Sequence, residues 1–275
     1  MQTMMISDYV EVNGGKIYYE MAGEGETVVL SHAGFVDSRM WDDQWEEFAQ
    51  RYRVMRYDMR GYGKSDPVQG PVSRRDDLYR LLQKLGIEQA HMIGCSLSGE
   101  MMLDFTIEHP EMVKSLVIIS STPSGFEMQG EPPAEVLEMI DAMQKHDAAR
   151  MSEMQLRLWI DGPYRKPEQV DPVVRQRAAE MNLIPVKNGT WITADAEPAN
   201  PLNPPAIQQL DRVQVPTLVM AGALDNSEIL RAADAMTAGI KGARKAILPE
   251  CAHVPNMEKP AEFNQIVLEF LRNVG

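Results

Sequence analysis

Basic residues are in short supply in this chain: 27 Lys and Arg stand against 40 Asp and Glu, a formal net charge of −13. Nucleic-acid binding rests on neutralising phosphates with Lys and Arg, so no nucleic-acid partner is expected. Polyanionic substrates are disfavoured too, unless a local basic pocket overrides the overall field. Cysteine is scarcer still. Cys95 and Cys251 are the only two, and no Cys/His spacing of the zinc-binding kind occurs. The expectation is a chain with no disulfide framework, no metal and no cofactor. Also missing is any apolar run near the roughly 18 residues of a membrane span. The opening MQTMMISDYVEVNGGKIYYE lacks a basic region followed by an apolar core, which argues against a signal peptide. A cytoplasmic protein without a membrane partner is the resulting expectation, with monomer and homodimer both open.

What is present suits a globular chain of 275 residues, 44% hydrophobic and 24% charged. That length fits one domain of generous size or one domain with an insertion. It buries about three quarters of its unfolded surface, enough to hold together without staples. Tyr9–Val12 and Lys16–Glu20 alternate in the strand manner around Asn13-Gly14-Gly15, a hairpin signal. Short β-rich runs follow at Thr27–Leu30, Tyr52–Tyr57, Ala90–Ile93 and Ser115–Ser120. Between them lie helical patterns over Trp41–Arg51, Ser73–Leu85 and Leu97–His109. Strands alternating with helices predict an α/β fold with a mostly parallel central sheet flanked by helices.

The rhythm breaks after residue 121. Helical patterns at Pro133–Lys145 and Ala148–Ile160 and a proline-rich stretch at Pro198–Pro205 replace it, with no convincing strand. It resumes at Pro216–Gly222, continues through Lys245–Leu248 and closes with a helix over Pro260–Arg272. The economical division is a core of residues 1–121 and 214–275 interrupted by a helical cap insertion, 122–213. Two sequential domains would leave each half of the sheet incomplete.

The strongest chemical signal is Gly94-Cys95-Ser96-Leu97-Ser98-Gly99, placed between a strand and a helix. A nucleophile raised on a sharp strand-to-helix turn needs small neighbours because its backbone is strained. The helix that follows offers backbone N–H groups and a positive dipole end to a new oxyanion. Ser98 stands where glycine is usual, which weakens the motif taken alone. A second loop, Ser31-His32-Ala33-Gly34-Phe35, follows a strand directly. Its small residues let an N–H turn toward a substrate oxygen, so Gly34 (alternatively Phe35) pairs with Leu97 as the expected oxyanion hole.

A serine hydroxyl is a poor nucleophile without a base. His32 suits a local structural role, His91 core packing, His109 a helix end and His146 an exposed position. His253 lies between the last strand and the last helix, at the sheet edge where a base can reach the nucleophile. Asp225 is the first acid after the strand Thr217–Met220 and is the expected partner that fixes the imidazole tautomer. The chain order Ser96, Asp225, His253 matches that of the strand–elbow–helix hydrolases.

With these residues in place the chain resembles the α/β-hydrolase fold family, in its serine-nucleophile carboxylesterase and enol-lactonase branch. Asp58-Met59-Arg60-Gly61-Tyr62-Gly63-Lys64-Ser65 resembles the family's D-x-R-G-x-G-x-S segment, and His253 to Pro260 its H-x-x-x-x-E-x-P ending. The resemblance runs from about Val28 to Leu271 and implies hydrolytic chemistry, while fold alone does not fix the reaction. Ser96 argues against the dehalogenase and epoxide hydrolase branches, which use Asp. The carbon–carbon bond hydrolases share the triad but often carry an aromatic residue after the catalytic His, where this chain has Val254.

The favoured expectation is a carboxylic ester hydrolase for small, uncharged substrates, working through an acyl-enzyme. A lactonase of the enol-lactone type, a carbon–carbon bond hydrolase and a non-catalytic ligand receptor are the alternatives, in falling order. An anionic lactone would require a pocket cation, for which Arg39, Arg150 and Arg157 are candidates. Phe35, Trp41 and Trp159 are candidate pocket residues, with Trp191 a further one. The methionines Met128, Met139, Met143, Met151, Met154 and Met181 read as the core of a helical layer more readily than as pocket lining. Cys95 and Cys251 read as small packing residues.

Overall fold

A computed structural model describes residues 5–274. Its eight strands are β1 (Ile6–Val12), β2 (Gly15–Ala22), β3 (Thr27–Ser31), β4 (Arg53–Tyr57), β5 (Ala90–Cys95), β6 (Val113–Ile119), β7 (Thr217–Gly222) and β8 (Arg244–Leu248). They form one sheet in the order β1-β2-β4-β3-β5-β6-β7-β8. The first two strands pair antiparallel through a tight turn in which Asn13 and Gly14 have φ of 49° and 78°. That is the conformation Asn-Gly favours, and the turn twists with the strands it joins. Across the sheet from β4 to β8 every pairing is parallel.

A parallel strand buried on both faces distributes alternate residues to two cores. In β6, Val117 and Ile119 join one core and Leu116 and Ile118 the other. On the first face pack α1 (Asp42–Ala49), through Phe48, and α9 (Pro260–Arg272), through Phe263 and Val267. On the second pack α2 (Arg74–Lys84), α3 (Leu97–Glu108) and α7 (Ser227–Gly239). Ser73 caps α2 by accepting from the Asp76 amide, which sets where that helix begins.

Between β6 and β7 the chain forms α4 (Ala134–Gln144), α5 (Ala148–Leu156) and α6 (Pro172–Asn188), and no strand among the described residues. The helix α6 escapes a reading based on local signals because Pro185 lies inside its last turn. Asp171 and Gly189 bracket it: the Asp171 carboxylate accepts from the Val173 amide, and Gly189 closes it at φ 64°. A four-residue helix, α8 (Pro255–Glu258), precedes α9. No helix of the described residues is long and apolar enough to cross a membrane.

The two last strands are tied to the following loop at one tight point. The amides of Ala223 and Leu224 donate to Leu248 and Cys251 carbonyls at 2.8 and 2.9 Å. Gly222 makes this approach possible, because a Cβ there would sit 2.1 Å from the Ala252 carbonyl oxygen. Gly222→Ala should therefore destabilise the chain by about 1–3 kcal/mol, the usual range for overpacking a tight site. Urea unfolding measures it, and an unchanged midpoint would contradict this packing.

Candidate active site

The turn after β5 puts Ser96 at φ 56° and ψ −121°, a strained conformation for a residue with a side chain. Small neighbours make the turn possible. A Cβ on Gly94 would lie 2.5 Å from the Ser98 carbonyl oxygen, and one on Gly99 would lie 2.7 Å from Ser121 Cβ. Ser98 is more than a tolerated stand-in for glycine. Its buried Oγ donates to the Ser31 carbonyl at 2.7 Å and accepts from the Cys95 amide at 3.0 Å. The elbow is thereby pinned to the end of β3.

His253 follows β8 and is held by its neighbours. The Ala252 amide donates to Glu258 at 2.7 Å, and Arg165 Nη1 bonds the same carboxylate at 2.6 Å. His253 Nδ1 lies 2.9 Å from Asp225 Oδ2, and Nε2 lies 2.8 Å from Ser96 Oγ. A carboxylate can only accept, so Nδ1 carries the proton and Nε2 accepts from the Ser96 hydroxyl. His253 and Asp225 are each 1% exposed, so this charge-bearing pair is shielded from water. The second oxygen of Asp225 accepts from the Asn226 amide at 2.7 Å, which fixes the carboxylate plane.

Beside the elbow, Gly34 lies against Leu97: a Cβ on Gly34 would be 2.9 Å from Leu97 Cδ2. Among the described residues the amides of Gly34, Phe35 and Leu97 have no protein hydrogen-bond partner. Leu97 is the first residue of α3, whose amide points outward at the positive end of the helix. The loop carrying Gly34 is buttressed by the 58–65 segment. Asp58 accepts from the amides of Ser38 and Lys64 at 2.9 and 2.8 Å. His32 is a buried structural residue, its Nε2 accepting from the Met59 amide at 2.9 Å. Burial pushes its pKa down, which keeps it neutral for that bond.

A cavity of about 590 Å³ opens over Ser96, with Leu97, His253 and Trp159 on its walls. Trp159 is a wall residue, its ring centroid 4.8 Å from that of His253. Phe35 does not line the cavity but packs against Trp159 and His253 at 6.2 and 6.4 Å between centroids. Trp41 is a correction to the sequence-based expectation. It is fully buried against Phe263 in the core beneath α1, because the turn preceding that helix directs its ring inward and away from the cavity. Trp191 is exposed and also stands apart from the cavity. Met139, Met151, Met154 and Met181 are buried in the helical layer, and only Met128 of the methionines lines the cavity.

Of the candidate cations, Arg39 pairs with Asp37 and Arg150 with Glu138. Arg157 lines the cavity and is bonded to Glu153 at 3.1 Å. Both cysteines are buried with their thiols on backbone carbonyls. Burial raises both above the ordinary thiol range, Cys251 to about 12, so neither is a nucleophile at neutral pH. No group of three or more His, Cys, Asp or Glu among the described residues is placed to hold a metal ion.

Several cavity residues go unread in the sequence, Glu100 among them. Glu100 lies one turn into α3, four residues after Ser96, and faces the same cavity. The i, i+4 spacing from Ser96 is the available signal. Burial, and then the neighbouring Asp104, raises its pKa to about 7, against a weak bond from Thr122 at 3.5 Å.

The chain belongs to the α/β-hydrolase fold family, whose model matches residues 26–260. It is 27% identical over 280 residues to a 2-hydroxy-6-oxo-6-phenylhexa-2,4-dienoate hydrolase of Comamonas testosteroni, covering 93% of this chain and 91% of that one. Among solved structures, Est816, an N-acyl homoserine lactone degrading enzyme, superposes with a TM-score of 0.79 at 25% identity, over 96% of this chain and 100% of its own. An enol-lactonase from Burkholderia xenovorans LB400 shares the fold with a TM-score of 0.78 at 24% identity, over the same shares of the two chains. The protein is a hydrolase of this fold.

Two measurements check the site's construction. Ser98→Ala leaves the buried Ser31 carbonyl and Cys95 amide short of a partner, and should cost about 1–3 kcal/mol of stability in chemical denaturation. A loss below the error of the experiment would remove the pinning role. Glu100 is raised above the roughly 4.3 of an unfolded glutamate, so the folded state holds the extra proton between that value and about 7. Its contribution to stability is full below the unfolded pKa and declines as pH rises toward 7. The thermal midpoint of Glu100→Gln relative to the native chain should therefore be higher at about pH 8 than at about pH 4. An equal difference at both would contradict the burial of this carboxyl.

Proposed function

We propose that the protein is a serine hydrolase of carboxylic esters, lactones included, acting on substrates without a negative charge through an acyl-enzyme. The observation that carries this reading is the unbroken chain from Asp225 through His253 to Ser96 Oγ at the floor of the cavity. In this reading Ser96 Oγ attacks the ester carbonyl carbon as His253 Nε2 takes its proton. The oxyanion forms against the Leu97 and Gly34 amides, with Phe35 the alternative second donor. Asp225 keeps the imidazolium oriented and offsets its charge. His253 then protonates the departing alkoxide, and water activated by the same ring hydrolyses the acyl-serine. The segment 122–213 acts as the cap, since its residues from Met128 to Pro163 form the outer wall of the cavity.

The full-length likeness to dienoate hydrolases supports a second reading, cleavage of a carbon–carbon bond by the same three residues. Two features weigh for esters instead. Val254 follows His253, and the cavity wall sets four glutamates against the single Arg157, a poor setting for a dienoate carboxylate.

Ser96→Ala should lower the turnover of a chromogenic short-chain ester by at least about a thousandfold, leaving the fold intact by circular dichroism. Near-native turnover in that variant would reject the nucleophile. A native chain that cleaves a ring-opened dienoate but neither esters nor lactones would select the second reading.

A further inference from the structure

Carboxylates are plentiful around this cavity, and several in and behind its wall are paired. Glu228 is bonded by Arg231, Glu153 by Arg157 and Arg175, and Asp104 by Arg75 and the Ser124 hydroxyl. Three glutamates of the wall have no cation partner among the described residues: Glu131, which is exposed, Glu135 on α4, and Glu100, which stands beside Ser96 on α3. The side-chain bond of Glu100 is the long one from Thr122. It is also the carboxylate nearest in sequence to Ser96, one turn along the helix that begins at the elbow. The wall of the same cavity also holds the half-buried indole of Trp159. An unpaired carboxylate and an aromatic wall in one cavity are the two elements that recognise an ammonium group, by Coulomb attraction and by cation–π contact.

We propose that Glu100 is a specificity-determining residue that makes the cavity favour esters carrying an ammonium group and reject those carrying a carboxylate. This rests on the reading of Ser96 as nucleophile and of the cavity as the substrate site. Burial is what gives one carboxylate such leverage. A charge at the surface is screened within about 8–10 Å by salt, whereas one on a cavity wall is screened far less. Of the other charges on the wall, Glu131 and Arg157 are exposed, and Glu135 and Glu228 are half-buried. On the floor, His253 is already committed to Asp225 and Ser96. On its own helix, Asp104 adds negative charge behind Glu100 and helps to raise it to about 7. The preference should therefore strengthen as pH rises through about 7 and Glu100 ionises.

A pair of isosteric esters isolates the charge: 2-(trimethylammonio)ethyl butanoate and 3,3-dimethylbutyl butanoate, with a carboxylate-ended ester of similar length as the third member. Ionisation of the catalytic histidine acts on all three alike and cancels in the ratios of kcat/KM. For the native chain the cation-to-neutral ratio should exceed about ten at pH 8, equivalent to roughly 1.4 kcal/mol, and fall several-fold by pH 6. The carboxylate ester should be the poorest of the three. In Glu100→Gln the ratio should drop below about two and lose its pH dependence, an outcome that a merely structural role of Glu100 would not produce. A native ratio near one at pH 8, or an undiminished ratio in Glu100→Gln, overturns the proposal. Should the variant fail to fold, the native pH profile decides, a flat ratio counting against Glu100.

Binding of the corresponding amides, measured by calorimetry, separates this idea from the catalytic one. If no ester is hydrolysed but the cationic amide binds about tenfold more tightly than its neutral isostere, and only with Glu100 present, charge selection stands and the hydrolytic reading falls. Hydrolysis of all three esters at similar rates does the reverse: the hydrolytic reading stands and charge selection falls.

Discussion

The backbone of Ser96 is the constraint on which the rest of the site depends. A residue with a side chain held at φ 56° costs of order 1–3 kcal/mol, and it persists only where surrounding structure leaves no alternative. Here the surroundings are explicit. The Ser96 amide is bonded to the Ile119 carbonyl at 2.8 Å, and its carbonyl accepts from Ser121 Oγ at 2.7 Å. Ser98 fastens the next turn to β3, and the two glycines leave no room for a relaxed path. What the strain achieves is position. Oγ stands clear of the sheet at hydrogen-bond distance from His253 while the Leu97 amide, one residue on, stays without a protein partner.

The site also illustrates how a chain of net charge −13 keeps carboxylates from disabling one another. Most of those near the sheet edge are given a fixed task. Asp58 collects backbone amides, Glu258 holds the loop before His253, and Asp225 orients the imidazole. Buried carboxylates that accept several N–H bonds bear their charge at tolerable cost, and arginine partners offset much of the remainder. A buried carboxylate without such partners is a different object, for its charge is directed to whatever enters the cavity.

Much of this architecture is legible in the sequence because it depends on local chemistry. All eight strands are marked in the sequence, the first two by alternation around the Asn13-Gly14 turn and the rest by short β-rich or apolar runs, and Ser96, Asp225 and His253 each follow one of these runs. What stays hidden depends on which way a side chain faces. Trp41 follows a loop next to the proposed oxyanion site, yet the turn preceding α1 directs its ring into the core. Ser98 looks like a blemish in a pentapeptide until its hydroxyl is seen on the Ser31 carbonyl, 67 residues away in sequence. The helix α6 is hidden because a proline in its last turn reads as a break, whereas the break falls where the helix ends anyway.

The same distinction bears on how substrate choice and chemistry are divided between parts of the chain. A buried set of contacts links the helical segment to the loop below it: Tyr62 Oη lies 2.6 Å from Asp195 and 2.8 Å from the Gly34 carbonyl, and Arg74 holds Asp195 at 2.8 Å. Asp195 lies between β6 and β7, while Gly34, Tyr62 and Arg74 all precede β5 in the chain. Ionised Asp195 can only accept, as can the Gly34 carbonyl, so the single Tyr62 proton serves one of them at a time. Burial and Asp195 hold the Tyr62 hydroxyl well above its ordinary pKa, so the proton stays on the phenol. Asp195 also offsets the buried charge of Arg74, whose remaining bond is to the Arg60 carbonyl. One buried hydroxyl thus stands in contact with both the segment between β6 and β7 and the Gly34 peptide beside Ser96.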